Sequence, residues 1–194
     1  MLRGIGLYGG SFDPVHTGHL ISASVIREEF GLEKIYFIPN YLSPYKILND
    51  VTDADHRVEM LKMATFDNDC FAVSEFESQQ NRAVYTYETV DFFKKTHPDK
   101  KLYLIIGYDC YLTLAKWKKY QHFKDDCQII VARRPGGSSK IEKKHEVNFS
   151  RECPLIDISS TMVRKRVAEN LDIKYLVNEK VKCYITNKGL YKTK

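Results

Sequence analysis

The chain has 194 residues, of which 43% are hydrophobic and 28% charged, and its formal net charge is +5 at pH 7. This composition is ordinary for a globular protein and excludes a disordered or collagen-like chain. A chain of this length can form one compact domain with a sizeable core, so we expect a single domain over residues 1–194.

The positive charges are partly clustered, at residues 133–145 and 164–166. Such clusters suit an anionic ligand. A solvated basic face explains them equally well, because charge by itself reports on solubility and steering rather than on a binding site. Nothing in the clusters requires nucleic acid as a partner.

The cysteines and the apolar segments predict a cytoplasmic protein. Five cysteines are scattered without two-residue spacing, so they predict neither a zinc site nor a disulfide framework. The apolar stretch after Arg3 is too short for a signal peptide. The longest apolar region, 102–115, contains Asp109 and is too short to cross a bilayer, so no membrane role is expected.

Hydrophobic spacing in the first thirty residues predicts a strand, a glycine turn and a helix. Residues 5–8 form a short apolar run that Gly9 and Gly10 stop, and from Gly18 onward apolar residues recur every three to four positions. Similar patterns follow along the chain: a strand at 34–38 closed by Pro39, a helix at 54–65, a strand at 71–76, a helix at 86–95, and strands at 102–106 and 129–132.

Strands that alternate with helices predict an α/β fold, a Rossmann-like doubly wound parallel sheet with both faces covered and a small C-terminal helical segment. Ligands of such sheets bind beyond the carboxyl ends of the strands, near the point where strand order reverses. We therefore expect the loops after Tyr8, Ile38 and Ile106 to converge on one site.

The most informative segment is residues 9–19, Gly-Gly-Ser-Phe-Asp-Pro-Val-His-Thr-Gly-His, between the first strand and the first helix. Its two leading glycines let the backbone approach a ligand, and the helix start offers N–H groups and the positive end of the helix dipole. His16 and His19 are three residues apart, so both rings can face one phosphate group. The segment therefore predicts a phosphate site.

Other interpretations of this segment carry less weight. A His-x-x-His metal pair lacks further ligands at suitable spacing, and two purely structural histidines in one glycine turn are a weaker explanation. The glycines are not followed by Lys-Ser or Lys-Thr, which excludes a P-loop, and Gly4-x-Gly6 lacks the third glycine of a dinucleotide fingerprint.

Residues 9–19 resemble the signature of the nucleotidyltransferase superfamily, whose His-x-Gly-His turn binds a nucleotide triphosphate. Residues 158–164, Ile-Ser-Ser-Thr-Met-Val-Arg, resemble its second motif, Ile-Ser-Ser-Thr-x-x-Arg. By itself the second segment is an ordinary helix cap with a solvated arginine, and the pairing with the first motif favours a nucleotide site.

The second segment also has a direct physical interpretation. Ser159 is a plausible helix N-cap, and Val163, Val167 and Leu171 form the predicted buried stripe. Arg164 follows Ser160 by four residues, on the same helix face, where a guanidinium can bind phosphate oxygens.

Over nearly its whole length the chain resembles bacterial nicotinate mononucleotide adenylyltransferases. Further segments that carry this likeness are Pro39-Asn40 with 44–46, 56–61, 85–89, Gly107-x-Asp109, Trp117, 134–136 and 175–185. The chain departs from that family's pattern at Tyr45, which stands where a histidine is usual, and at Tyr108 and Cys110.

The resemblance implies a role for each matching residue. The implied catalytic residues are His16, His19 and Arg164. The implied ATP-binding residues are Gly9, Gly10, Ser11, Phe12, His16, His19, Gly107, Asp109, Arg134, Ser159, Ser160, Thr161 and Arg164. The implied mononucleotide-binding residues are Ser11, Lys46, Tyr85, Thr86, Asp109 and Trp117. Mg²⁺ is expected to arrive with ATP, without protein side chains as ligands.

These roles imply adenylyl transfer from ATP to nicotinate mononucleotide, which gives deamido-NAD and pyrophosphate in NAD biosynthesis. Three alternatives remain: nicotinamide mononucleotide as the preferred acceptor, a phosphopantetheine adenylyltransferase, and a nucleotide-sensing protein without activity. Trp117 is equally well explained as a core-edge aromatic residue. The resemblance admits a homodimer without requiring one.

Overall fold

A computed structural model describes residues 4–42, 51–132 and 146–192. Its centre is a parallel sheet of six strands in the order β3-β2-β1-β4-β5-β6. The strands are β1 (Ile5–Gly10), β2 (Lys34–Pro39), β3 (Phe71–Val73), β4 (Leu102–Gly107), β5 (Cys127–Ala132) and β6 (Asn148–Phe149).

The helices cover both faces of this sheet. They are α1 (Thr17–Glu29), α2 (Ala54–Thr65), α3 (Thr86–Thr96), α4 (Tyr108–Thr113), α5 (Tyr120–Phe123), α6 (Ser160–Ala168) and α7 (Glu179–Lys188). Two short 3₁₀ turns, Ser78–Gln80 and Leu114–Lys116, complete the described elements.

Alternate residues of each strand enter opposite cores, as the strand period of two requires. In β4, Ile105 packs with α1, α2, α6 and α7, whereas Leu104 and Ile106 pack with α3, α4 and α5. Strands buried on both faces explain the continuous apolar runs from which the parallel sheet was predicted. The doubly wound fold is confirmed.

Strand order reverses between β1 and β4, which are neighbours although two other strands lie between them in sequence. Tyr8 pairs with Ile105 in the register of these two strands, so both strands end at the same edge of the sheet. The turn after β1 and the start of α4 therefore meet at the switch point, where open α/β sheets bind ligands.

The structure corrects two details of the predicted elements. The third strand stops at Val73 instead of continuing to residue 76. Its end coincides with a local turn, because the Ser74 hydroxyl accepts a hydrogen bond from the Phe76 N–H at 3.5 Å. The predicted stripe of the late helix is also too long: α6 ends at Ala168, and Leu171 is 47% exposed. Asn170 adopts a left-handed φ of 54°, which breaks the helical path before Leu171.

Within the described part of the chain, no helix combines the length and apolar character that crossing a membrane requires.

Candidate active site

The turn between β1 and α1 is held in a defined shape by aromatic packing. Phe12 is 3% exposed and adopts a φ of 48°, a conformation that costs about 1–3 kcal/mol for a bulky residue. Its ring contacts Tyr8, His19 and Phe37 at centroid distances of 5.7, 5.0 and 5.7 Å. Burial of Phe12 among these rings offsets the strain and directs the following residues toward the helix start.

His16 and His19 lie together at the beginning of α1, as their spacing predicted. His16 is the N-cap residue, with extended backbone, and its ring stacks on that of His19 at a centroid distance of 3.7 Å. The His16 N–H donates to Nδ1 of His19 at 3.3 Å. Since Nδ1 accepts, the neutral His19 ring carries its proton on Nε2, the tautomer that donates from that nitrogen.

Two glycines of the turn differ in what surrounds them. A Cβ atom on Gly18 would lie 3.0 Å from Nδ1 of His16, so this glycine gives the imidazole its room. Among the described residues, apart from its two chain neighbours, a Cβ atom on Gly9 would meet no atom within 4 Å. Protein packing therefore does not require a glycine at position 9, and the open space in front of it fits the backbone approach to a ligand predicted from the sequence.

The second motif meets this turn through two side-chain hydrogen bonds. Arg164 Nη1 donates to the carbonyl oxygen of Asp13 at 2.7 Å, and the Ser160 hydroxyl donates to the carbonyl oxygen of Pro14 at 2.8 Å. Both contacts come from one face of α6, as the four-residue spacing predicted. The two segments with family likeness thus converge although they are about 150 residues apart in sequence.

The hydroxyl side chains near Arg164 form hydrogen bonds at the N-terminal end of α6. Ser159 is the N-cap, and its hydroxyl accepts a hydrogen bond from the Met162 N–H at 3.1 Å, which confirms the predicted cap. Thr161 accepts a hydrogen bond from Arg164 Nη2 at 3.4 Å. Because the Ser159 cap occupies the Met162 N–H, the N–H groups of Ser160 and Thr161 are the first-turn donors that suit an anion at this end.

The C-terminal part of the chain also supports the turn, which the sequence did not predict. The Thr17 N–H and hydroxyl both donate to the Leu176 carbonyl at 2.8 Å. Tyr191 donates from its hydroxyl to the Asp13 carboxylate at 2.7 Å, and burial raises the pKa of this tyrosine above its usual range. Asp13 is 4% exposed, so the hydrogen bond from Tyr191 offsets part of the cost of removing its carboxylate from water.

A pocket opens beside the histidines at the switch point. Its lining joins the ends of β1, β4 and β5 to the segment that precedes α6, and consists of Tyr8, His16, Gly18, His19, Ser22, Gly107, Ala132, Pro154, Ile156 and Ile158. Gly107, predicted to belong to the nucleotide site, lies in this pocket and is the N-cap residue of α4. Asp109 follows in the first turn of α4 and is exposed.

The outer wall of this pocket is fixed by a carboxylate on α1. Glu29 accepts hydrogen bonds from the Ser150 hydroxyl at 2.5 Å and from the Arg151 N–H at 2.8 Å. Ser150 is fully buried, and its oxygen in turn accepts from the Cys153 N–H at 3.2 Å. This network holds the segment that delivers Pro154, Ile156 and Ile158 to the pocket.

Three of the predicted mononucleotide residues, Tyr85, Thr86 and Trp117, lie at the start of α3 and next to the 3₁₀ turn after α4. Tyr85 is the N-cap residue of α3 and Thr86 is its first residue. Lys118 lies over the Tyr85 ring, with its Nζ 4.2 Å from the ring centroid, so the segment around Trp117 contacts this helix start. Trp117 is half-buried against the core that contains residues of α3, α4 and α5, and it donates from Nε1 to the Thr113 hydroxyl at 3.4 Å.

Two predicted site residues, Lys46 and Arg134, lie outside the described residues, as does Tyr45. Their assigned roles stay predictions.

Two ionisable groups near the site were missed by the sequence analysis. Arg57 on α2 is 1% exposed, and burial lowers the pKa of its guanidinium. Its place on the helical spacing of Ala54, Val58 and Leu61 is the signal that could have revealed a buried arginine. Glu77 accepts a hydrogen bond from the Thr89 hydroxyl at 2.6 Å, and burial raises the pKa of its carboxyl to about 7.

Among residues 4–42, 51–132 and 146–192, the structure brings together no group of three or more His, Cys, Asp or Glu side chains that could hold a metal ion.

The sheet order, the switch-point pocket and the two converging helix starts define a nucleotide-binding α/β protein. A family model described as cytidylyltransferase-like matches residues 7–166. Nicotinate-nucleotide adenylyltransferase of Bacillus subtilis (strain 168) is 38% identical over 192 residues, which covers 99% of this chain and 100% of the relative. The chain belongs to the nicotinate-nucleotide adenylyltransferases of the cytidylyltransferase-like family, which confirms the resemblance seen in the sequence.

Solved structures share the fold. Plasmodium falciparum nicotinic acid mononucleotide adenylyltransferase complexed with NaAD aligns with a TM-score of 0.78 at 22% identity, covering 97% of both chains. The same parasite protein complexed with APC aligns with a TM-score of 0.75 at 22% identity, again over 97% of both chains.

Proposed function

We propose that this chain transfers the adenylyl group of ATP to nicotinate mononucleotide and releases pyrophosphate and deamido-NAD, a step of NAD biosynthesis. The observation that carries the proposal is the meeting of Arg164 with the turn that presents His16 and His19. Family membership at 38% identity over the whole chain supports the same activity.

The reaction needs no covalent enzyme intermediate. A phosphate oxygen of nicotinate mononucleotide attacks the α-phosphorus of ATP in line, the bond from that phosphorus to the bridging oxygen breaks, and pyrophosphate leaves with the electron pair. The protein then contributes positioning and stabilisation of negative charge.

In the proposal, the phosphate turn is residues 9–19 between β1 and α1, and its donors face the negative charge that develops during the reaction. In the proposal, His16 and His19 donate to the α- and β-phosphates, and Ser160, Thr161 and Arg164 hold the β- and γ-phosphates. Gly9 and Gly10, with Ser11 and Phe12, shape the turn against the nucleotide. Stacking fixes the imidazoles before substrate arrives, so little reorganisation is needed during the reaction.

Mg²⁺ would be bound together with ATP and would supply neutralisation of part of the phosphate charge. No protein carboxylate is assigned to it, because Asp13, a buried carboxylate within the phosphate turn, already accepts hydrogen bonds from Tyr191 and from the Thr52 N–H.

The remaining predicted residues are proposed to bind the ribose and the acceptor. Gly107 and Asp109 bind the ribose region at the switch point, and Arg134 and Ser159 belong to the ATP site. Thr86, Tyr85 and Trp117 hold the nicotinate ring, Lys46 binds the attacking phosphate, and Ser11 lies between the two substrates.

The proposal extends to the setting of the enzyme. It acts as a single domain over residues 1–194 in the cytoplasm, on small-molecule substrates, and the resemblance allows a homodimer. Light scattering coupled to size-exclusion chromatography measures the assembly directly.

Pyrophosphate release tests the activity. The purified chain is incubated with MgATP and, in parallel, nicotinate mononucleotide, nicotinamide mononucleotide or phosphopantetheine, and each product is identified by its mass. We expect the highest kcat/KM with nicotinate mononucleotide. A higher value with another acceptor would replace the assigned substrate, and ATP binding without pyrophosphate release from any acceptor would indicate a nucleotide sensor.

A further inference from the structure

Arg57 is a buried cation close to the phosphate turn. It lies on α2, in register with the buried residues Ala54, Val58 and Leu61, and is 1% exposed. A buried arginine destabilises the folded state unless its N–H donors are hydrogen-bonded, because the guanidinium has lost its hydration.

The donors of Arg57 are directed to acceptors from two separate loops. Nη1 donates to the Ser11 carbonyl at 2.8 Å, in the turn that follows β1. Nη1 also contacts Oδ1 of Asn40 at 3.4 Å, and Nη2 donates to the Tyr41 carbonyl at 3.1 Å, both just after β2. Nε donates to the Thr52 carbonyl at 2.8 Å, just before α2.

All four acceptors are uncharged, so the compensating charge comes from elsewhere in the same cluster. The Asp13 carboxylate interacts electrostatically with Arg57 and accepts a hydrogen bond from the Thr52 N–H at 3.3 Å. The turn after β1 and the entry to α2 are therefore joined twice, once through Arg57 and once through Asp13.

The cluster also leads toward the start of α3. Leu42, next to the Tyr41 carbonyl that Arg57 holds, forms a parallel bridge with Ala83. Ala83 lies two residues before Tyr85, the N-cap of α3. One planar side chain thus links the turn bearing the stacked histidines to a backbone path that ends at the proposed acceptor-binding helix.

We propose that Arg57 is a positioning residue that sets the phosphate turn at a fixed distance from the acceptor side of the site. Its catalytic effect rests on the proposed function, whereas its linking of the two loops does not. The rigid fork of a guanidinium reaches carbonyls in several directions, and the single ammonium of a lysine cannot.

The test compares Arg57→Lys with Leu61→Ala, which truncates a fully buried apolar side chain on the same helix and removes no hydrogen-bond donor. For Arg57→Lys we expect kcat to fall roughly 10- to 100-fold at saturating substrates, since small misplacements of reactants are costly. Leu61→Ala is expected to lower the urea midpoint while the folded enzyme keeps its kcat within about twofold. A kcat retained within twofold in Arg57→Lys, with only a lower urea midpoint, would reduce Arg57 to a stabilising residue and overturn the proposal.

Amide hydrogen exchange supplies the second readout and does not depend on catalysis. Arg57→Lys is expected to speed exchange in peptides covering 9–19 and 51–56 together, beyond any change in Leu61→Ala. Equal exchange in the two variants overturns the linking role. A wild-type chain that releases no pyrophosphate disproves the proposed function alone, because the exchange result still decides whether Arg57 links the loops.

Asn40→Ala keeps the test decisive if Arg57→Lys does not fold, because it removes one acceptor and leaves the arginine in place. We expect a kcat loss of about threefold and faster exchange in the peptide that contains Ser11. Unchanged kcat and unchanged exchange there would contradict the proposal.

Discussion

Arg164 and Asp13 join the two ends of the active site through a hydrogen bond of 2.7 Å from the arginine Nη1 to the aspartate carbonyl oxygen. The bond uses the backbone of the phosphate turn, so it fixes where the turn lies relative to α6. The Arg164 side chain is 32% exposed, and the proposed function assigns its N–H groups beyond those bonded to Asp13 and Thr161 to the triphosphate.

His19→Ala is expected to lower kcat by about 10²- to 10³-fold, the usual loss when one donor to developing charge is removed. Steady-state pyrophosphate release measures it. His97→Ala is the matched control, because His97 pairs with the Tyr36 hydroxyl at 3.1 Å beyond the C-terminal end of α3, away from the turn. Near wild-type turnover in His19→Ala would remove this residue from the mechanism.

Arg164→Ala is expected to raise the KM for ATP and to lower kcat/KM at least tenfold, because both a phosphate donor and the contact to Asp13 are lost. Arg164→Lys should recover only part of the loss, since an ammonium donates from a single nitrogen and cannot reproduce the planar fork of the guanidinium. Lys165→Ala, one residue along α6 and exposed, serves as the control for charge. Equal effects of the Arg164 and Lys165 substitutions would show that only general charge matters.

Gly9→Ala separates ligand contact from folding. A Cβ atom there meets no atom of the described segments beyond its chain neighbours, so we expect the free energy of unfolding to change by less than about 0.5 kcal/mol. Affinity for ATP, measured by calorimetry, should fall because the added methyl group occupies the ligand's approach. Gly6→Ala is the opposite case. Its Cβ would lie 2.5 Å from Cδ1 of Ile35, so we expect this substitution to lower the free energy of unfolding. Unchanged ATP affinity in Gly9→Ala would show that no ligand packs against that glycine.

Glu77 predicts a pH dependence of stability. Burial raises the pKa of its carboxyl to about 7, from 4.5, so the folded protein binds more protons than the unfolded chain between these values, and stability falls as pH rises through this window. Glu77→Gln keeps an acceptor for Thr89 and removes the charge. We expect it to raise the free energy of unfolding by about 1–3 kcal/mol at pH 8 and by little at pH 4.

The neighbouring Glu75→Gln is the control for this pH series. The hydrogen bond from Lys62 lowers the pKa of Glu75, so its substitution should give no gain at pH 8. Urea unfolding of both variants at the two pH values decides the matter, and a Glu77→Gln gain that does not change with pH would rule out titration of this carboxyl.

Much of the fold could be predicted because hydrophobic period is a local property of the chain. The predicted helix at 54–65 has the bounds of α2. Four of the five predicted strands lie inside observed strands, and the one at 71–76 extends beyond β3. Leu171 shows where this fails: its spacing fits α6, but the left-handed Asn170 ends the path before it. The hydrophobic spacing continues to Leu171 although the helix ends before it, because the end depends on the backbone conformation of one residue, Asn170.

The sequence by itself determined the strand, glycine turn and helix, the adjacent histidines His16 and His19, and the Ser159 cap, because the atoms involved are at most a few residues apart. Only the tertiary structure decided the bonds from Tyr191 to Asp13, from Arg151 to Glu29 and from Arg57 to Ser11, which span 178, 122 and 46 residues. Such contacts depend on which loops the strand order brings to one edge of the sheet, and no spacing along the chain records that order.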